Sequence, residues 1–171
     1  IHSSVSIDGT AYSVKAIGPS AFQSCSLDTL VISEGIETIG NNAFQSNRNN
    51  SITLPSSLRS IGNDAFRYNY GLKNIVIPQG VETIGERAFW DCNSLQRVEL
   101  PNSITSIGRQ AFQGLSSLAT VISRIQTPID IDVTVFSSNY NSRWNSETQK
   151  DEYYNITPST ATLYVPDGTK T

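Results

Sequence analysis

Of the 171 residues one is histidine, two are cysteine and none is methionine. The histidine, His2, stands at the start of the chain, where ends fray, so a histidine-dependent triad or a histidine-rich metal site has nothing to build on. Neither Cys25 nor Cys92 has a histidine near it in sequence to draw off a thiol proton, and there is no CxxC pair and no glycine-rich phosphate loop. No apolar run approaches the ~20 residues of a membrane-crossing helix, and none resembles a signal peptide. The missing methionine leads us to expect a mature form or a piece of a longer chain, so the lack of a leader says nothing about targeting.

Excess charge is also lacking. The formal net charge is −3, and residues 14–123 hold eight Lys/Arg and eight Asp/Glu. Without a basic face, nucleic-acid binding is excluded as a function class. A hydrophobic content of 37% over this length supports one folded unit with a real core.

What the chain does have is a repeat. IGPSAF, IGNNAF, IGNDAF, IGERAF and IGRQAF place their isoleucines at 17, 39, 61, 84 and 107, spacings of 22, 22, 23 and 23. A fixed period of this size marks a solenoid, whose units cannot bury their apolar faces alone. Ala21, Ala43, Ala65, Ala88 and Ala111 are small where the coil closes, and Phe22, Phe44, Phe66, Phe89 and Phe112 are expected to stack as an aromatic spine. Gly18, Gly40, Gly62, Gly85 and Gly108 mark a point where positive φ or close backbone approach excludes a side chain, and the segment that follows reads as one helical turn.

Eight residues after each motif isoleucine come Cys25, Asn47, Asn69, Cys92 and Leu115. Buried Asn or Cys at a fixed repeat position donates to free turn carbonyls, so this column reads as an internal ladder. The two cysteines lie three coils apart, ~14 Å at ~4.8 Å per coil, beyond the ~7 Å a disulfide can bridge. Free thiols are expected. Further on, Leu30/Ile32, Ile52/Leu54, Ile75/Ile77, Val98/Leu100 and Val121/Ser123 alternate at period two and predict strands that stack into a parallel sheet along one face. Pro55, Pro78 and Pro101 end three of them.

The combined pattern LxxIxIPxxVxxIGxxAFxxC, carried by residues 72–92 and by four poorer copies, resembles the BspA-like leucine-rich repeat family of bacterial surface proteins. The resemblance implies a leucine-rich-repeat solenoid with a parallel sheet on one face and short turns and loops on the other. It further implies secretion or surface anchoring, and adhesion or contact with a host or bacterial surface protein. No cofactor is expected, and a glycan bound through the aromatic loops is the alternative partner. It supplies no ligand motif, so no binding residue carries over. Residues 161–170 are similar to the family's closing strand, with Leu163 and Val165 inward.

The expected organisation is a single domain: a capping hairpin over 1–13 turning at Asp8-Gly9, five repeats over 14–123, and a degenerate sixth coil with a polar insertion (137–160) and closing cap over 124–171. The insertion is disordered, or covers the core's open end, or is a functional loop. Two departures stand out: Asn49 replaces the leucine of later coils, and Ser123 ends the fifth repeat.

Chemistry is sparse. Asp130 and Asp132 share one side of a strand-like stretch and Asp151-Glu152 lie in the insertion, but nothing supplies a calcium ligand set or a carboxylate spacing, and solvated acids is the reading we adopt. We expect no metal site and no enzyme. Two surfaces are candidates for binding. Outward strand positions form a strip, Val31, Thr53, Val76, Glu99 and Ile122, extended by Tyr164 and flanked by Thr29, Ser51, Asn74, Arg97 and Thr120; this is either a contact surface or β-branched residues suiting exposed strands. Tyr68, Tyr70 and Trp90 follow the phenylalanines of repeats three and four and are either a displayed patch for protein or sugar, or packing under the next turn. Tyr140, Trp144, Tyr153 and Tyr154 add aromatics in the insertion. The competing role is a structural spacer in a longer surface protein, and oligomeric state is left open.

Overall fold

The computed structural model describes residues 1–126 and 129–137, and the backbone of three further strands, Asn141–Asn145, Lys150–Tyr154 and Thr162–Tyr164. Each motif isoleucine ends a two-residue strand: Ala16–Ile17, Thr38–Ile39, Ser60–Ile61, Thr83–Ile84 and Ser106–Ile107 form a five-stranded parallel sheet. A second face carries the alternating strands. Thr29–Val31 pairs with Ser51–Thr53, while Asn74–Val76, Arg97–Leu100, Thr120–Ser123 and Thr162–Tyr164 form a separate parallel sheet in that order. The solenoid thus has two sheet faces where the sequence predicts one.

The turn face departs from expectation. Among the described residues there is no helix; the segment after each glycine is a run of tight turns whose N–H groups bond to the following coil. Phe22 N donates to Ala43 O, Phe44 N to Ala65 O, Phe66 N to Ala88 O and Phe89 N to Ala111 O, each at 2.8 Å. A helix would spend those donors internally. The turns also hold left-handed residues in every coil, at Ser20, Asn42, Asp64, Arg87 and Gln110 and again at Ser24, Ser46, Tyr68, Asp91 and Gly114, with Ser26 a third in the first coil. Positive φ costs a side chain ~1–2 kcal/mol, which asparagine, aspartate and glycine tolerate best.

The motif glycines in the interior answer to close approach, not to φ. A Cβ on Gly108 would lie 2.4 Å from Glu86 N and one on Gly40 2.8 Å from Ile17 O, whereas on Gly18, with no coil before it, it would meet nothing within 4 Å. Inside, the six rings Phe22, Phe44, Phe66, Phe89, Phe112 and Phe136 stack with centroids 5.1–5.5 Å apart. Phe136 therefore continues the spine into the sixth coil, where Val135 O accepts from Phe112 N. Burying one such ring contributes about 1.5–3 kcal/mol, and each stacked pair adds about 0.5–1.5.

The Asn/Cys column is a carbonyl ladder. Asn47 Nδ2 donates to Phe22 O (2.7 Å) and Phe44 O (3.0 Å), Asn69 Nδ2 to Phe44 O (2.9 Å) and Phe66 O (2.7 Å), and Cys92 Sγ to Phe66 O (3.2 Å). Both cysteines are free, Cys25 exposed and Cys92 buried. Asn49 is buried because Asn69 Oδ1 receives its amide at 2.6 Å. The same place explains the break in the second face. Asn47 and Asn49 are two apart but their counterparts Asn69 and Leu72 are three apart, so the coil lengthens at Tyr70-Gly71, and the strands on either side, Ser51–Thr53 and Asn74–Val76, fall into different sheets.

The N-terminal hairpin forms as expected, Ser4–Ile7 against Thr10–Ser13, with Asp8 and Gly9 at φ 49° and 78°. It leaves the first coil's turn face open: Ala21 and Cys25 are exposed and Phe22 is half-buried. What is capped is the sheet edge, where the Ile1 amino group donates to Val31 O (2.7 Å) and Ser33 N to Ile1 O (2.9 Å). Within the insertion, Asn141–Asn145 pairs antiparallel with Lys150–Tyr154.

Candidate functional site

Tyr68, Tyr70 and Trp90 come together on the turn side of coils three and four. Tyr68 lies 5.8 Å from Tyr70 and 6.1 Å from Trp90 between ring centroids, tilted by 32° and 31°. The trio is not tucked away: Tyr70 is 50% exposed, and Tyr68 and Trp90 are half-buried.

Holding them is Arg67, which the sequence reading did not single out. Its guanidinium carbon sits 4.4 Å from the Tyr68 centroid and 4.0 Å from that of Trp90, its Nη2 donates to Tyr68 Oη (2.7 Å), and its Nη1 donates to Asp64 Oδ1 (3.2 Å). Arg87 flanks Trp90 at 5.7 Å and lies 3.4 Å from the same Asp64 oxygen, an ion pair without hydrogen-bond alignment. The signal was available: Gln23, Gln45, Arg67, Trp90 and Gln113 occupy one repeat column, and Gln23 and Gln45 already bond side chain to side chain at 2.7 Å. Arg67 and Trp90 are therefore neighbours by register. Each such cation–π contact is worth about 0.5–2 kcal/mol as water is excluded.

Burial, followed by the charge of Asp91, raises the Tyr70 hydroxyl pKa above the ordinary tyrosine value. Arg67 Nε and Trp90 Nε1 are buried with no hydrogen-bond partner among the described residues.

The sheet strip is less continuous. Val31 and Val76 are 56% and 63% exposed and Thr53 is exposed, but the coil-length step falls between Thr53 and Val76. Beyond it Glu99 is tied between Arg124 (2.6 Å) and Arg97 (3.0 Å), and these bonds, that to Arg124 first, hold its carboxyl below the usual range. Ile122 is half-buried and stands opposite Tyr164 in parallel register; the Tyr164 side chain lies outside the described residues, as do Val165 and the insertion side chains of Tyr140, Trp144, Asp151, Glu152, Tyr153 and Tyr154.

For chemistry the surfaces offer little. His2 is exposed, burial pushes the Cys92 thiol up to about 12, and Asp132 caps its own turn through Thr134. Among the described residues no group of three or more His, Cys, Asp or Glu is placed to hold a metal, and no helix is long and apolar enough to cross a membrane.

The family described as BspA type leucine rich repeat region matches residues 10–143 in six copies. No curated protein matches the chain. Among solved structures it is similar to a leucine-rich repeat protein of T. pallidum, 36% identical over 68% of this chain and 54% of that one, with a TM-score of 0.64. It is also similar to a leucine-rich cell surface protein of Faecalibacterium prausnitzii, 29% identical over 66% of this chain and 30% of that one, TM-score 0.62. The pneumococcal vaccine antigen PcpA shares the fold, 19% identical over 77% of this chain and 42% of that one, TM-score 0.59. The chain spans about half of these proteins, or less. A sixfold repeat match and six stacked phenylalanines agree on what this architecture is: the chain belongs to the BspA-type leucine-rich repeat family.

Proposed function

We infer that the protein is a non-catalytic recognition module that binds a protein partner outside the cell, through the face built by Tyr68, Tyr70 and Trp90. The observation that carries this reading is the aromatic trio held half-exposed by Arg67 on a hydrogen-bonded scaffold. Tyrosine, tryptophan and arginine are the residues that concentrate energy at protein interfaces, and a prefixed cluster loses little entropy on binding. An extracellular setting is supported by membership in the family and by the neighbour described as a cell surface protein.

Carbohydrate binding is the weaker reading. Arg67 already lies over the Trp90 ring at 4.0 Å, where a sugar would otherwise stack. A spacer would present an evenly polar surface, against which the exposed Val31, Val76 and Tyr70 count.

The test is a binding screen against extracellular-matrix proteins, mucins and a glycan panel, run beside a Tyr68→Ala, Tyr70→Ala, Trp90→Ala triple variant of matched thermal stability. A protein hit lost in the variant is expected. A hit retained moves the site to the sheet strip, a hit on glycans alone overturns the protein reading, and no hit at all supports the spacer.

A further inference from the structure

We propose that the two ends of the phenylalanine stack are complementary docking surfaces, on which the sixth coil of one copy of this chain seats against the first coil of a second copy. The inference is independent of the recognition reading above.

Three backbone bonds, all running one way, join each pair of neighbouring coils on the turn face. Ser20, Phe22 and Ser24 N donate to Asn41, Ala43 and Gln45 O at 2.8, 2.8 and 2.9 Å, and the same three bonds recur at each of the next three steps. The first coil thus uses its donors on the second and keeps acceptors on its outer side. Among the described residues Pro19 O and Ala21 O receive no hydrogen bond, and Gln23 O receives only the weak Cys25 thiol at 3.5 Å.

The far end has the opposite polarity. Phe136 N has no acceptor among the described residues, while Thr134 N is already held by Asp132 Oδ1 at 2.8 Å. In the interior each spine phenylalanine N donates to the alanine O one coil on, so Phe136 N and Ala21 O are the two halves of one missing rung.

Apolar surface is left open at the same two places. Phe22 and Phe136 are half-buried, whereas the four rings between them are 0% exposed. Val133 is 87% exposed beside Phe136, and Ala21 is exposed beside Phe22. Counted from the rung, Val133 falls in the column of Pro19, Asn41, Asn63, Glu86 and Arg109, which is apolar only at its two ends.

A second copy seated in register brings Phe136 onto Phe22 as a further ring of the stack and Val133 onto Pro19. Free carbonyls in water are already solvated, so the rung sets polarity and register, and burial of the rings and of Val133 supplies the drive. Two first coils cannot meet in this way, because carbonyls would face carbonyls. The contact is therefore head to tail, joins unlike surfaces and leaves a free end on every assembly.

Sedimentation velocity of the 171-residue chain over a dilution series is expected to show dimers and longer species that grow with concentration. Ala21→Glu and Val133→Glu, both at exposed positions, put a charge on one end each. Each variant alone is expected to sediment as a monomer, with thermal melts matching the parent chain. An equimolar mixture, which holds one intact surface of each kind, is expected to form dimers and nothing longer. A parent chain that stays monomeric at about 1 mM overturns the proposal. A Val133→Glu variant that still dimerises would mean pairing of like ends and overturns it too, as does a mixture that stays monomeric where the parent chain associates. Association unchanged in both variants places the contact elsewhere. Neither substitution lies on the Tyr68, Tyr70 and Trp90 face, so the recognition screen is decided separately.

Discussion

The first and fourth coils carry the same motif and live in different surroundings. Gly18 faces open space where a Cβ on Gly85 would stand 2.5 Å from Asn63 N, Phe22 is half-buried where Phe89 is sealed between two rings, and Cys25 is exposed where Cys92 is inside. Identical residues thus have different worth, because in a solenoid it is the adjacent coil that gives each column its job.

That contrast can be broken by substitution. Phe89→Ala opens a void inside a continuous stack and is expected to cost about 3–5 kcal/mol, while Phe22→Ala, at an end with one ring neighbour, costs less than half as much. Chemical denaturation reads both, and equal losses would show that position along the stack is irrelevant. Next in size, Gly85→Ala must push a methyl into backbone and is expected to cost about 1–3 kcal/mol, against at most about 0.5 for Gly18→Ala. Asn69→Ala leaves the Phe44 carbonyl to Asn47 and the Phe66 carbonyl to the weak Cys92 thiol donor and takes the acceptor from Asn49, for about 1–3 kcal/mol, where Cys25→Ala is close to neutral in thermal melts.

The smallest effect is chemical. Cys25, being exposed, is expected to alkylate in the folded protein and Cys92 only on unfolding, which mass spectrometry of the labelled protein resolves. Because burial raises the Cys92 thiol from 9.0 to about 12, the stability gained by keeping it neutral is complete below pH 9 and is lost as pH climbs toward 12. A Cys92→Ser variant should lack that alkaline component; an unchanged profile would place the thiol nearer to water than its burial implies.

Most of the fold was legible because the repeat imposes it. The spine, the carbonyl ladder and the strand pairing each follow from a column of like residues. The turn segment was misread as helical since Pro19-Ser20 and Asn41-Asn42 look like helix starts; the competing demand, visible only in three dimensions, is that each turn donor must reach the next coil. Likewise the hairpin at Asp8-Gly9 was readable from its turn chemistry, whereas its failure to reach Phe22 depends on placement that no local pattern encodes. At the candidate site the aromatics were visible as types, but Arg67 between them was missed, because its meaning comes from standing one coil below Trp90 and not from its neighbours in sequence.

The central claim is that a protein partner seats on the Tyr68, Tyr70 and Trp90 face. Hydrogen–deuterium exchange of the domain with and without a bound partner tests it most directly. Protection is expected over residues 67–73 and 90–93, with the outward strand residues around Val31 and Val76 unchanged. Protection confined to those strands, with the aromatic turns exchanging as in the free protein, would contradict it.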